Sequence, residues 1–187
     1  DLAKKEWNGT AETKLSFERK ISGMALNNIA KNISRLVQQP KTLTVHLSEL
    51  SNAAHDFNPD AIVMSGSLSD FDYYNPAHLE TFKQFITKTE IPVLAICGAH
   101  QLVGVAFGNK LSTLDNLDPW QKRSNRVVEY QYRFIKIVED SDPIFAGIKD
   151  AESGIWQDYT KESDILRVWQ NHGLQVEGIP EGFKLLA

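Results

Sequence analysis

Residues 92–101, PVLAICGAHQ, place the only cysteine of the 187-residue chain between a short apolar run and a glycine. Free cysteine is most often a small, buried apolar residue, so packing is the first explanation for Cys97. A thiol on a tight strand-to-helix turn is instead held exposed, and the N-terminus of the following helix favours the thiolate. The secondary structure around Cys97 is needed to distinguish a packing residue from a nucleophile.

A second strand end carries related chemistry. Ser65-Gly66-Ser67 also follows a short apolar run, and sites in open α/β sheets form beyond the carboxyl ends of the strands. A glycine at position 66 allows close approach of the backbone. Together with the N–H of Gly98, the N–H groups of this turn are predicted to converge on a developing oxyanion. This arrangement is what acyl transfer needs.

The elements that position these two turns follow from hydrophobic periodicity. The spacing predicts, in chain order, a helix with one buried face ended by Pro40, a strand, a buried strand, a helix, another buried strand and an apolar helix. They cover residues 26–37, 42–47, 60–66, 76–86, 92–97 and 98–107. Alternating strands and helices predict an α/β fold with a mostly parallel central sheet and helices on both faces.

The hydrophobic pattern changes in the C-terminal part of the chain. Residues 127–138, VVEYQYRFIKIV, are long and partly alternating, and residues 165–170 give one more strand. These segments predict a few antiparallel strands, and residues 182–187 also have strand character. Because no repeat or linker interrupts the chain, residues 1–187 are predicted to form a single domain.

Composition excludes several classes of function. The net charge of -4 provides no basic field for nucleic acid or an anionic membrane surface. The apolar runs are shorter than the roughly 20 residues that cross a bilayer. One cysteine allows no intramolecular disulfide, which fits a reducing compartment. We therefore expect a soluble, cytoplasmic protein with no nucleic-acid or membrane partner, and the Cys and His spacing predicts no metal and no cofactor.

Three segments together resemble one known family. They are residues 61–111, residues 142–147 (DPIFAG) and residues 169–187 (WQNHGLQVEGIPEGFKLLA). The chain is similar to a class I glutamine amidotransferase domain, of the kind found in GMP synthetase. The resemblance implies a flavodoxin-like three-layer sandwich with a parallel core.

The resemblance also implies roles for individual residues. Cys97 attacks the side-chain amide of glutamine, which gives a thioester and ammonia, and Gly66 and Gly98 donate the oxyanion-hole amides. Gln101 holds the bound glutamine, and the turn of Asn171, His172 and Gly173 faces its amino-acid end. The implied partners are glutamine or a related small amide and a synthetase subunit or domain that receives ammonia.

His172 has two interpretations. A Cys–His pair is the commonest way to activate a thiol, so the residues alone make His172 the obvious general base. The resemblance assigns that role to a later His-Pro-Glu motif, which the 187 residues lack, as they lack a convincing first strand. The chain is either a portion of a longer protein or a family member that has lost its base, and we expect the former. Ala95 and Ala99 also replace glycines usual in the family at the elbow.

Three functional classes stay open at this point. The first is an enzyme that hydrolyses glutamine or a γ-glutamyl-like amide through a thioester. The second is a non-catalytic amidotransferase-like binding module, and the third is a Cys peptidase-like hydrolase that uses His172 as its base. A His-Pro-Glu motif encoded beyond Ala187 would favour the first class.

Overall fold

The computed structural model describes residues 10–67, 71–115, 127–147 and 164–187. Among these residues, two successive helices are followed by alternating strands and helices, and strands predominate after residue 110. The helices are α1 (Ala11–Leu36), α2 (Leu50–Phe57), α3 (Pro76–Ile86) and α4 (Gly98–Ala106). The strands are β1 (Ile62–Met64), β2 (Val93–Ala95), β3 (Leu111–Thr113), β4 (Glu129–Lys136), β5 (Ile165–His172) and β6 (Leu174–Val176).

The described strands form three two-stranded sheets. β1 and β2 are parallel, whereas β3 pairs with β6 and β4 pairs with β5 in antiparallel fashion. The α/β class, the parallel pair and the antiparallel C-terminal strands were all predicted, and they are confirmed. A mostly parallel central sheet is not seen among the described residues, where parallel pairing is confined to β1 and β2.

The helices that flank β2 begin and end at distinct local signals. The side-chain oxygen of Asn75 accepts a hydrogen bond from Ala77 N at 2.9 Å, and Pro76 occupies the first turn of α3. α4 begins directly after Cys97 and is followed by Gly108, whose φ of 94° suits the left-handed position beyond a helix end. Both helices therefore have the bounds that the sequence predicts, to within one residue.

The core joins α2, α3 and α4. Phe82 is only 2% exposed, and burial of such a side chain contributes about 1.5–3 kcal/mol. The buried cluster consists of Leu50, Phe82, Ile86, Leu102 and Ala106. Because α4 supplies two of these residues, its N-terminus is held on a packed base beside the end of β2.

One face of the β1–β2 pair packs on this core. Ile62, Met64 and Val93 lie against the buried cluster, as expected for side chains that share a face of a parallel pair. Leu94 points to the opposite face and is 54% exposed. Among the described residues the helices therefore cover one face of this pair, not both as predicted.

The strand predicted over residues 42–47 is wrong. This segment has irregular backbone, and a 3-10 turn begins at Leu47. The Nδ1 atom of His46 accepts a hydrogen bond from Ser48 N at 3.3 Å, which ends the extended stretch. Alternating β-branched residues favour a strand only where a neighbouring strand completes the ladder, and no described strand pairs with this segment.

α1 confirms the predicted helix but begins earlier, at Ala11, and ends at Leu36. The predicted buried face is not buried against any described element, since Leu36 is 84% exposed. Periodicity identifies an amphipathic helix, but it does not reveal what covers the apolar face. Within the described ranges, no helix combines the length and the apolar character that a bilayer span requires.

The C-terminal segment, residues 182–187, is irregular and not a strand. It is nevertheless tied to the end of β4, because the N–H of Val138 donates to the Leu186 carbonyl at 2.8 Å. Lys184 forms an ion pair with Glu139 at 2.7 Å. The hydrogen bonds from Lys184 and then from Ser141 hold the pKa of the Glu139 carboxyl below its ordinary value of 4.5.

Candidate active site

Cys97 lies at the junction of β2 and α4 and carries the reactive group of that turn. Its backbone has a φ of 54° and a ψ of -113°, which a side-chain-bearing residue rarely adopts. Such strain persists where the surroundings enforce it, and it clusters at functional sites. The thiol is exposed, as the sequence predicts for a nucleophile on a strand-to-helix turn.

The Ser65-Gly66-Ser67 turn lies directly against this elbow. A Cβ atom on Gly66 would be 2.9 Å from the Cβ and 3.3 Å from the Sγ of Cys97. A Cβ atom on Gly98 would be 3.0 Å from Ser67 N. The pairing of β1 with β2 explains this proximity, because Ile96 N donates to the Met64 carbonyl at 3.0 Å and so aligns the two strand ends. The predicted closeness of the two turns is confirmed.

Two backbone N–H groups at this junction can serve a ligand. Gly98 is the first residue of α4, so its N–H has no acceptor within the helix. In the described ranges no backbone carbonyl accepts a hydrogen bond from Gly98 N or from Gly66 N. An N–H group at the N-terminus of a helix favours an anion, so the Gly98 N–H can interact with negative charge that forms next to the Cys97 sulfur.

The end of β5 forms the opposite wall of the site. The Cys97 thiol donates a weak hydrogen bond to the backbone carbonyl of Asn171 at a distance of 3.7 Å. Asn171 and His172 are the last residues of β5, and only Gly173 lies in the turn that leads to β6. The prediction of a three-residue turn is therefore corrected, although its position beside Cys97 fits a substrate-facing segment.

Gln101 reaches from α4 to the start of β6. Its Nε2 donates to the Leu174 carbonyl at 2.8 Å, and the side chain is partly buried. This contact joins α4 to β6, so the side chain does more than cover the end of its own helix. The side chain thus lies one helical turn from Cys97, with its amide bound to the backbone beyond Gly173.

His172 does not face the thiol in the way a general base would. Its Nδ1 lies 3.0 Å from the Leu174 carbonyl, and its Nε2 lies 3.3 Å from Oε2 of Glu129. A nitrogen that contacts a carbonyl oxygen must donate a proton, which leaves Nε2 as the only candidate acceptor. That atom is already directed at a carboxylate, so this ring is poorly arranged to take a proton from Cys97.

Two polar groups of this region have no counterpart in the sequence predictions. Glu129 lies opposite His172 in the β4–β5 register, and Tyr74 donates to the Ser67 hydroxyl at 2.6 Å. No local pattern singles out either residue, because each acquires its role from a distant partner. In the described part of the chain, no three Cys, His, Asp or Glu side chains group closely enough to hold a metal ion.

Known proteins resemble this chain in sequence. The chain is 27% identical over 143 residues to the glutamine-hydrolyzing GMP synthase of Vesicomyosocius okutanii, an alignment that covers 76% of this chain and 22% of the relative. It is 29% identical over 130 residues to one subunit of the glutamine-hydrolyzing GMP synthase of Pyrococcus abyssi, with 70% and 54% covered. The chain thus spans about a fifth of the first relative and about half of the second.

A solved structure supports the same fold. A protein from Thermoplasma acidophilum, provisionally named as a GMP synthase subunit, matches with a TM-score of 0.53 at 20% identity, over 76% of this chain and 57% of that one. Residues 24–187 match the profile of the family described as glutamine amidotransferase class-I. Because that match extends over most of the sequence, this chain belongs to the class I glutamine amidotransferase family.

Proposed function

We propose that this chain hydrolyses the side-chain amide of glutamine through a thioester on Cys97 and releases ammonia. The observation that carries the proposal is the strained backbone of Cys97 at the β2–α4 junction, with an exposed thiol against the Gly66 turn. A packing residue has no need of this conformation, whereas a nucleophile gains exposure and a helix N-terminus from it.

The proposed reaction proceeds in two steps. The Cys97 thiolate adds to the amide carbon of glutamine, and the N–H groups of Gly66 and Gly98 hold the oxyanion that forms. The C–N bond then breaks, the nitrogen takes the proton that the general base removed from the Cys97 thiol and leaves as ammonia, and a γ-glutamyl thioester remains. Water attacks the thioester, which gives glutamate and restores the thiol.

Substrate binding is assigned to the strand end opposite the thiol. We propose that Gln101 helps to hold the bound glutamine and that Asn171, His172 and Gly173 face its amino-acid end. The Asn171 carbonyl lies 3.7 Å from the Cys97 sulfur, and Gln101 reaches the backbone just beyond Gly173. These contacts support a binding wall within reach of the nucleophile. The base is proposed to be the histidine of a His-Pro-Glu motif, and the sequence encoded beyond Ala187 tests this assignment directly.

A synthetase subunit or domain is the proposed recipient of the ammonia. Two relatives, from Pyrococcus abyssi and Methanosphaera stadtmanae, are named as subunits of glutamine-hydrolyzing GMP synthase. Such a designation supports a partner that uses the released nitrogen. This chain spans only part of the length of several relatives. The acceptor of the ammonia and the final product are therefore proposals as well.

Residues 1–187 are proposed to belong to one domain, with a mostly parallel flavodoxin-like sheet covered on both faces. The exposed face of the β1–β2 pair, marked by Leu94, supports this proposal. Parallel strands are almost always buried on both sides, so we expect other elements of the domain to cover this face.

Glutamate release by the full-length protein tests the function. We expect the wild-type protein to produce glutamate and ammonia from glutamine and Cys97→Ala to produce neither. Absence of release while glutamine still protects Cys97 from iodoacetamide would support the non-catalytic binding module instead. Cleavage of peptides that is lost in His172→Ala would support the peptidase, which the contacts of both His172 nitrogens disfavour.

A further inference from the structure

The backbone carbonyl of Leu174 is the meeting point of two side chains from the candidate site. Gln101 Nε2 donates to it at 2.8 Å, and His172 Nδ1 lies 3.0 Å from it. A carbonyl oxygen has two lone pairs, so these two donors saturate it. The turn between β5 and β6, which passes the Cys97 thiol, is thereby anchored from α4 and from its own strand.

Glu129 contacts the other side of the His172 ring. Its Oε2 lies 3.3 Å from His172 Nε2, and its Oε1 lies 3.0 Å from Arg133 Nη2. The side chains of Glu129 and His172 are only 27% and 23% exposed, so solvent screens this pair less than a surface pair. Both oxygens of the carboxylate are engaged, which fixes its plane as well as its position.

We infer that Glu129 is a positioning residue of the glutamine site: its carboxylate orients His172 so that this ring and Gln101 together hold the Leu174 carbonyl and the Asn171–Gly173 segment against Cys97. The inference rests on the proposed function, because it concerns the same site. The hydrogen bond of one imidazole nitrogen determines the tautomer and direction of the other. Without the carboxylate, only the contact between Nδ1 and the Leu174 carbonyl holds the ring, and its Nε2 side is no longer fixed.

The alternative is that Glu129 serves only the ion pair with Arg133 on the surface of β4. In that case its removal changes stability slightly and leaves ligand binding alone, because exposed pairs contribute little. The two roles differ in whether removal of the Glu129 carboxylate changes glutamine binding through His172. A measurement of glutamine binding that is separate from thiol reactivity therefore distinguishes them.

The test follows iodoacetamide alkylation of Cys97 in the full-length protein, read by mass spectrometry of the Cys97 peptide with and without glutamine. Glu129→Gln should raise the glutamine concentration needed for half protection about fivefold, the size of effect typical for the loss of one hydrogen bond. Its alkylation rate without glutamine should equal that of the wild-type protein, which also shows that the elbow is folded. Glu90→Gln, the same change at an exposed position, should alter neither quantity.

A double-mutant comparison assigns the effect to His172. If Glu129 acts through this ring, Glu129→Gln should cause no further loss of protection in a His172→Ala background. Equal losses in both backgrounds, or unchanged protection in Glu129→Gln alone, would overturn the inference and leave the proposed function standing. Failure of glutamine to protect even the wild-type thiol would overturn the proposed function and this inference with it.

Discussion

Gly66 and Cys97 lie so close that a Cβ atom on the glycine would be 2.9 Å from the Cβ of the cysteine and 3.3 Å from its sulfur. Gly66→Ala must therefore displace the elbow or the β1 turn. We expect a loss of stability of about 1–3 kcal/mol, as for other overpacked sites. Glutamine hydrolysis should fall about 100-fold, because small misplacements of reacting groups have effects of this size. Urea unfolding and glutamate release measure the two effects.

Gly23→Ala is the matched control for this substitution. Gly23 lies inside α1, and a Cβ atom there would have nothing within 4 Å. We expect this variant to be more stable than the wild-type protein by about 0.5–1 kcal/mol, because alanine is the better helix former. Equal losses of activity in the two variants would show that the contact between Gly66 and Cys97 is not the cause.

The strained backbone of Cys97 predicts an unusual order of stability. Cys97→Gly and Cys97→Ala both remove the thiol, and both should lack glutamine hydrolysis. At a φ of 54° and a ψ of -113°, glycine adopts the conformation with little strain, whereas alanine keeps a strain of about 1–3 kcal/mol. Urea unfolding should therefore find Cys97→Gly the more stable variant. The reverse order would remove the argument that the elbow stores strain.

His172→Ala should affect binding more than turnover. Both ring nitrogens contact other groups, the Leu174 carbonyl and the Glu129 carboxylate. In the full-length protein we expect KM for glutamine to rise about tenfold and kcat to change less than about threefold, the pattern of lost binding that is uniform along the reaction. His55→Ala, at a side chain that is 88% exposed, is the control. A fall in kcat by several orders of magnitude at constant KM would identify His172 as the base.

The packing of α4 on β6 depends on Gly104. A Cβ atom at this position would be 2.7 Å from Val176 Cγ1 and 2.9 Å from its Cγ2. Gly104→Ala should destabilise the protein by about 1–3 kcal/mol through overpacking. Val176→Ala in the same chain should restore part of that loss, because the two residues share one contact. Urea unfolding of the single and double variants measures the coupling, and strictly additive effects would contradict the direct contact.

The tie between Glu139 and Lys184 should respond to acid. The pKa of Glu139 is lowered from 4.5, chiefly by the Lys184 hydrogen bond, so the folded protein binds this proton less readily than the unfolded chain. The contribution is complete above about pH 4.5 and is lost as the pH falls through the folded pKa. The difference in Tm between the wild-type protein and Glu139→Gln should therefore shrink below that pH. If the difference in Tm stays constant over this pH range, a contact other than the Glu139 charge links the two segments.

Local signals determined the part of the site that is contiguous in sequence. The apolar run before Cys97 and the glycine after it predicted the β2–α4 elbow, and Pro76 predicted the start of α3. The Ser65-Gly66-Ser67 turn was placed beside the elbow because the carboxyl ends of parallel strands meet at one edge. Helix caps, proline and glycine affect the backbone over only a few residues, so their effect does not depend on the tertiary structure.

Only the tertiary structure decided the contacts made across the chain. Cys97 meets the Asn171 carbonyl over a separation of 74 residues, and Glu129 meets His172 through the register of β4 with β5. A one-residue shift of that register would carry Glu129 to the other face, and no local pattern excludes it. The irregular backbone of residues 42–47 has the same physical origin. A sequence encodes a preference for extended backbone, but the partner that completes its hydrogen bonds lies elsewhere in the fold.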